Sequence, residues 1–353
     1  QDKIKYILRC GGAWILALPF FYVGWLHDYK NLIFLPICCM CLYDMNAGKV
    51  CRAFVVTIGI CLLATILCCL SGTVRNIVDS EKGFAGSYGI INTTDFASYF
   101  SFLLLLAWCG IRKNEWYTSL LFAVFTLVIT YGVYSVSGSR TSLYTGGLVV
   151  LFTLWDCLER RVSSNQKWFQ LFRKSVKWIS ILAFPIIAAL FVYLTIQFAS
   201  QEMWALQLNT TLNGRLSTVL NPFRIYGIKA FGSTIENMHG QGGTILGQFW
   251  SSGYGYLDVA YAMLAIRYGW VITAIVTALW IWMTVKAFKT GRNRIGYALA
   301  IMAAHAFSEA RILDVNYNLL LIMPFCSFAA DKAETVGVDR KRDLRSILVG
   351  CVI

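Results

Sequence analysis

Long runs of apolar residues, separated by short polar segments, dominate the sequence. A helix needs about 17–25 apolar residues to cross the hydrocarbon core of a membrane. Ten runs approach this length, so the pattern predicts an all-α, polytopic transmembrane protein of about ten helices, with residues 1–353 forming a single integral membrane domain. The predicted spans are 10–26, 31–46, 53–72, 93–111, 116–136, 142–158, 177–197, 268–287, 295–310 and 316–330.

The longest polar stretch, residues 198–267, separates the seventh span from the eighth. We expect it to form a long extracytoplasmic loop that contains short helices. The segments 73–92 and 308–316 and a tight turn at 137–141 fall on the same side. Because the loops on the other side are short, a catalytic site is expected at this face or just beneath it.

The distribution of charge indicates the orientation. Only 14% of the residues are charged, against about 25% in soluble domains, and the net charge is +13. With the N-terminus inside, the inside segments hold most of the 31 basic residues, while the 18 acidic residues divide evenly between the two sides. This is the positive-inside pattern, so both termini are predicted to be cytoplasmic. The basic residues therefore indicate topology and predict no nucleic-acid partner.

Missing motifs narrow the chemistry. The chain has no Walker-type Gly-rich loop, no HExxH motif, no Asp-x-Asp pair and only three histidines. The twelve cysteines lie in apolar runs or basic flanks, and the cluster at Cys38, Cys39 and Cys41 is interpreted as packing. The sequence thus predicts no metal and no cofactor. An enzyme of this kind would use a substrate already delivered in the membrane, such as a lipid-linked sugar.

Polar residues at the outer helix ends are the candidates for a site. Arg140 lies in the turn between two spans, Arg215 and Arg224 lie in the long loop, and Arg311 follows the ninth span. The planar fork of arginine suits a diphosphate, which it binds through two parallel charge-assisted hydrogen bonds. A carboxylate could take the proton from a sugar hydroxyl, and the candidates for this role are Asp258 and Glu309.

Each candidate also has a purely structural interpretation. Arg140 could be an interfacial residue that extends towards water, and the two arginines of the loop could simply be solvated. Asp258 could cap its helix, and Glu309 with Arg311 could form an ion pair that holds a loop. His305 stands four residues before Glu309, the spacing of one helical face, and could be a packed polar residue.

Several short motifs between about residues 70 and 330 carry a family resemblance. They are Gly89–Ala97, Ser139–Thr141, Leu212–Arg215, Tyr226–Gly227, Phe231–Gly232, Leu257–Tyr261, Tyr268–Gly269, and Glu309 with Asn318. Taken in this order, they resemble the Wzy-type O-antigen and capsule polymerases, which are related to the O-antigen ligases. The ligases have a His-Asn pair where this chain has Asp258-Val259, and that departure favours a polymerase.

The resemblance implies a GT-C-like membrane glycosyltransferase in the bacterial inner membrane. It implies a metal-independent, inverting transfer between two undecaprenyl-diphosphate-linked oligosaccharides, which builds a surface polysaccharide. Arg140, Arg215, Arg224 and Arg311 would bind the diphosphate, and Asp258 and Glu309 would be catalytic. Membrane lipids and a chain-length regulator are the further partners that it implies.

Two alternatives stay open. An O-antigen ligase would share the fold and the donor. A lipid-linked glycan flippase would more naturally carry charged pairs in mid-span and show internal repeats, whereas here the unusual charges stand at the outer helix ends and no repeat is visible.

Overall fold

The computed structural model describes residues 2–43, 45–79, 85–111, 115–162, 166–235 and 257–326. These residues are predominantly helical, as predicted. The helices are α1 (Asp2–Leu26), α2 (Lys30–Cys41), α3 (Ala47–Leu70), α4 (Thr93–Gly110), α5 (Trp116–Ser137), α6 (Arg140–Arg161), α7 (Lys167–Ala199), α8 (Met203–Thr211), α9 (Arg215–Tyr226), α10 (Gly269–Lys289) and α11 (Asn293–His305). A two-stranded antiparallel ribbon pairs β1 (Val78–Asp79) with β2 (Ala85–Gly86).

Five helical stretches in the described residues are long and apolar enough to cross a membrane. They are Ala47–Leu70, Trp116–Ser137, Arg140–Arg161, Lys167–Ala199 and Ala260–Lys289. Many of their large apolar side chains face outwards: Leu121 is 70% exposed and Val128 is 64% exposed. In water such a surface would be unfavourable, because apolar area gains free energy by leaving water. These helices are therefore compatible with a multi-pass membrane protein.

Helix α11 lies at the centre of the bundle. Nearly all of its residues are buried, and it packs against α4, α6, α7 and α10. A helix that is buried on every side needs small or apolar residues around its whole circumference, and the sequence Ala298–Ala303 supplies them. It begins next to Arg294 and ends at His305, so one polar side chain marks each end of the bundle. We call the His305 end the site face and the Arg294 end the network face.

A buried polar network occupies the network face. Arg294 Nε donates to Asp156 Oδ2 at 2.8 Å, and its Nη1 donates to the carbonyl oxygen of Ile111 at 2.8 Å. Beside it, Glu159 accepts hydrogen bonds from Tyr297 at 2.7 Å and pairs with Lys177 at 3.0 Å. Charged groups of both signs therefore join α6, α7 and α11 where the sequence analysis recognised only topogenic basic residues.

The last predicted spans differ from the structure. Helix α11 ends at His305, so Glu309 lies in the following turn and the predicted helical spacing between these two residues is wrong. Residues 316–326 form 3₁₀ turns (Leu319–Leu321 and Met323–Phe325), and 327–330 lie outside the described residues. Asn318 explains why no α-helix begins at the tenth predicted span. Its side-chain amide donates to the Ile312 carbonyl at 2.8 Å, and its side-chain oxygen accepts from the Leu320 N–H at 3.2 Å. Such local bonds compete with helix formation.

Within the predicted loop 198–267, the described residues contain α8 and α9, and residues 236–256 lie outside the description. The chain then forms three helical residues, Ala260–Ala262, and a π-helical turn, Met263–Tyr268. We call these two pieces together the π segment. It ends at Gly269, whose φ of +89° breaks the helix before α10 continues.

Two glycines that the sequence motifs contain meet at this break. A Cβ atom on Gly232 would overlap the backbone of Arg267 and Tyr268, and one on Gly269 would overlap the backbone of Ala230 and Gly232. Both residues also have positive φ, where side chains are strained. The N–H groups of Trp270 and Val271 donate to the carbonyls of Lys229 and Ala230. The loop end at 229–232 is therefore fixed directly against the start of α10.

Candidate functional site

Arg215 and Asp258, 43 residues apart in the chain, meet on the site face. Arg215 Nη1 lies 4.0 Å from Asp258 Oδ2 and 3.4 Å from the Asp258 carbonyl oxygen. Their side chains are 15% and 30% exposed, so the pair remains accessible. Arg215 opens α9, and Asn209 fixes that start because its side-chain oxygen accepts from the N–H groups of Leu216 and Ser217 at 2.9 and 3.2 Å. The loop motif thus positions its arginine against the predicted carboxylate.

His305 lies deeper beside this pair. Its Nδ1 is 2.7 Å from the hydroxyl oxygen of Thr145 in α6, and the charge of Arg215 reaches its ring. Its Nε2 is buried and has no hydrogen-bond partner among the described residues. An unpaired buried nitrogen is unfavourable, so His305 is a polar group that a bound molecule could satisfy.

Glu309 approaches the same place from the turn after α11. Its Oε2 accepts a hydrogen bond from Ser98 in α4 at 3.0 Å, and its Oε1 accepts from the N–H of Ala310 at 3.0 Å. Burial, together with the nearby negative charge of Asp95, raises the pKa of Glu309 to about 7, although the Ser98 hydrogen bond and the charges of Arg215 and Arg311 act to lower it. A carboxyl with this pKa can both give and take a proton near neutral pH.

Arg311 forms an ion pair with a residue that the sequence analysis did not select. Its Nη2 lies 3.2 Å from Asp95 Oδ2 and its Nη1 lies 3.9 Å from Asp314 Oδ2. Asp95 is 4% exposed and stands in the first turn of α4, where the helix dipole favours a negative charge. A lone carboxylate in the first turn of an otherwise apolar span was the signal in the sequence that could have identified it.

The structure places the six predicted site residues in two groups. Asp258, Glu309, Arg215 and Arg311 all lie on the site face, where Arg215 pairs with Asp258 and the charges of Arg215 and Arg311 both act on Glu309. Arg140, at the start of α6, and Arg224, near the end of α9, are both exposed. Within the described ranges, neither of these two arginines makes an ion pair with the converging residues.

The site combines two arginines, which can contact an anion, with carboxylates that can take part in proton transfer. The arginines and carboxylates together come from four separate segments of the chain. Within the part of the chain that the structure describes, no three His, Cys, Asp or Glu side chains converge as a metal site would require. The described cysteines are free thiols, and Cys51 packs with Met323 at a sulfur–sulfur distance of 3.3 Å.

Comparisons of the chain with protein-family models, with curated proteins and with solved structures found no match.

Proposed function

We propose that this protein polymerises undecaprenyl-diphosphate-linked oligosaccharide repeat units into a surface polysaccharide, acting as a metal-independent membrane glycosyltransferase. The observation that carries the proposal is the convergence of Arg215, Asp258, Glu309 and Arg311 on one end of the bundle. Arg215, Asp258 and Glu309 belong to the separate motifs on which the resemblance to Wzy-type polymerases rests. Their meeting supports the interpretation that the motifs form one site.

The proposed reaction transfers the growing glycan from its carrier to a fresh repeat unit. The acceptor hydroxyl oxygen attacks the anomeric carbon of the donor, and the bond from that carbon to the diphosphate oxygen breaks. The hydroxyl proton passes to a carboxylate, either Asp258 or Glu309. The lipid diphosphate departs, and Arg215 and Arg311 stabilise the negative charge that develops on it. Fixed cations placed next to such developing charge lower the barrier.

The proposal includes the predicted topology. With the N-terminus in the cytoplasm, the site face would lie outside and the network face inside, in the bacterial inner membrane, and a cytoplasmic C-terminus would require the chain after residue 316 to cross once more. The last turns of α6 and α10 support this direction, since Arg160, Arg161, Lys286 and Lys289 lie at the network face. The exposed Arg140 and Arg224 would then meet the diphosphate as it enters from the outer leaflet, and a chain-length regulator would be a partner.

The first test is a gel profile of surface glycans from a strain that lacks this gene, with and without complementation. A polymerase predicts that the long ladder collapses to a single capped repeat unit and returns on complementation. Long polymer stranded on the lipid carrier would indicate a ligase instead. Repeat units retained on the inner leaflet would indicate a flippase, and an unchanged ladder would remove all three.

The second test assigns the residues. Complementation with Arg215→Ala or Asp258→Ala is expected to shorten the ladder at normal protein level, while Lys174→Ala, an exposed cation on α7 outside the site, serves as the matched control. Normal polymer from both site variants would refute the assignment of these two residues.

A further inference from the structure

A polar cavity of about 320 Å³ lies on the site face, between the α1–α2 turn, the π segment and the residues after α11. Three cations line it: Lys30, Arg267 and Arg311. Two acids, Asp28 and Asp314, also line it, and Arg311 is already engaged with Asp95 and Asp314. Lys30 and Arg267 form no ion pair within the described ranges, so the cavity has positive charge to offer an anion.

Arg267 is held rigidly in this cavity. Its guanidinium carbon lies 4.0 Å from the centre of the Tyr29 ring, and Tyr29 is fixed in turn by donating from its hydroxyl to the Ser233 carbonyl at 2.9 Å. Arg267 Nε is buried and has no hydrogen-bond partner in the described structure. Among the described residues Arg267 forms no ion pair, and a partly buried guanidinium in that state is unfavourable until an anion binds it. The π-helical turn that carries Arg267 is also a geometry that recurs at functional sites.

An apolar groove of about 260 Å³ runs from the same place between α1, α2 and α10. Its walls include Phe20, Met40 and Leu279, and its lining is almost entirely apolar. Leu313 lines both the groove and the polar cavity. The apolar groove therefore begins where the charged cavity ends. An anionic lipid with a long hydrocarbon chain requires a site of this shape, with a charged pocket that continues into an apolar groove.

We propose that the cavity and the groove together form a binding site for a polyprenyl diphosphate. Arg267 and Lys30 bind the diphosphate, and the first isoprene units lie along the groove past Leu313. This inference rests on the proposed function and adds to it a carrier position at Arg267 and Lys30, next to Arg311. A reaction between two lipid-linked glycans needs two such positions.

Binding is tested on the purified full-length chain in nanodiscs with undecaprenyl diphosphate that carries no sugar. Arg267→Gln is expected to weaken this binding about tenfold or more, since hydrogen bonds to charged groups are the strong ones. Met40→Trp, which fills the groove, should weaken it to a similar extent. Lys174→Gln and Ile37→Trp, an exposed position on α2 outside the groove, are the controls and should stay within about twofold.

Other probes separate the possible occupants. Undecaprenol should bind much more weakly than the diphosphate, and excess phosphatidylglycerol should not displace the diphosphate. Equal binding of undecaprenol, or displacement by phosphatidylglycerol, would overturn the proposal in favour of a general lipid groove. Unchanged binding by Arg267→Gln and Met40→Trp would also overturn it. That result would leave the proposed function intact, because the glycan ladder of the deletion strain tests it separately.

Discussion

Replacing Arg294 with methionine is expected to lower the free energy of unfolding by about 3 kcal/mol, because it leaves a buried carboxylate without its buried cation. The side chains of Arg294 and Asp156 are 7% and 1% exposed, and their atoms lie 2.8 Å apart. Breaking a buried ion pair costs about 3–5 kcal/mol. We expect the lower end of that range, since Arg160 still pairs with Asp156 at 2.7 Å.

Arg160→Met is the matched control. The Arg160 side chain is 32% exposed, so solvent screens its interaction with Asp156 and its loss should cost about 0–1 kcal/mol. The double variant Asp156→Leu/Arg294→Met should recover much of the lost stability, because no buried charge then lacks a partner.

The measurement is equilibrium unfolding in detergent titrated with dodecyl sulfate, followed by tryptophan fluorescence. A free energy of unfolding for Arg294→Met within about 1 kcal/mol of the parent protein's would refute the reasoning. The Arg294–Asp156 pair would then contribute no more than an exposed ion pair does. A double variant no more stable than Arg294→Met would refute the argument about the unpaired carboxylate.

Three further perturbations test other parts of the structure. Gly232→Ala should lower the free energy of unfolding by about 2 kcal/mol or more and shorten the glycan ladder, because a Cβ there overlaps the backbone of the π segment. Gly59→Ala, with open space around it, is the control and should change stability by less than about 1 kcal/mol in the same unfolding assay. Glu309 has a folded-state pKa raised from 4.5 to about 7, so the folded protein holds this proton more tightly and its stability should fall as pH rises through that window. Unfolding titrations at a series of pH values should show this slope flattened in Glu309→Gln. The same slope in the variant and the parent protein would contradict the prediction. Asn209→Ala removes both hydrogen bonds at the start of α9, so we expect the free energy of unfolding to fall by about 1 kcal/mol. Less polymer should form because Arg215 is displaced, and a normal glycan ladder would count against this role of Asn209.

Apolar length was sufficient to predict most helices from the sequence. The predicted spans 93–111 and 116–136 correspond to α4 and α5, whose ends lie at Thr93–Gly110 and Trp116–Ser137. This works because a span must satisfy its backbone hydrogen bonds internally, and a run of apolar residues has no competing polar side chains. Where a polar side chain does compete, as at Asn318, the same reasoning predicted a helix that the structure replaces with 3₁₀ turns.

The candidate site was predicted in part. Arg215 and Asp258 were chosen as residue types at outer helix ends, and the structure brings them together. The pairing of Arg311 with Asp95 could not be predicted from spacing, since 216 residues separate the two. The network face could not be predicted either: the sequence shows the sign of each charge and the side on which it falls, while the structure pairs Asp156 with Arg294 across 138 residues.

That separation also orders events during synthesis of the chain. Asp156 is translated and its helix can enter the membrane long before Arg294 exists. At about 5–20 residues per second, the interval is roughly 7–28 s. During this time Asp156 has Arg160 of its own helix as a partner, and the buried ion pair that joins α6 to α11 cannot yet form. We therefore expect the bundle to be completed last by α11, because the packing of α4, α6, α7 and α10 against that helix has to wait for its synthesis.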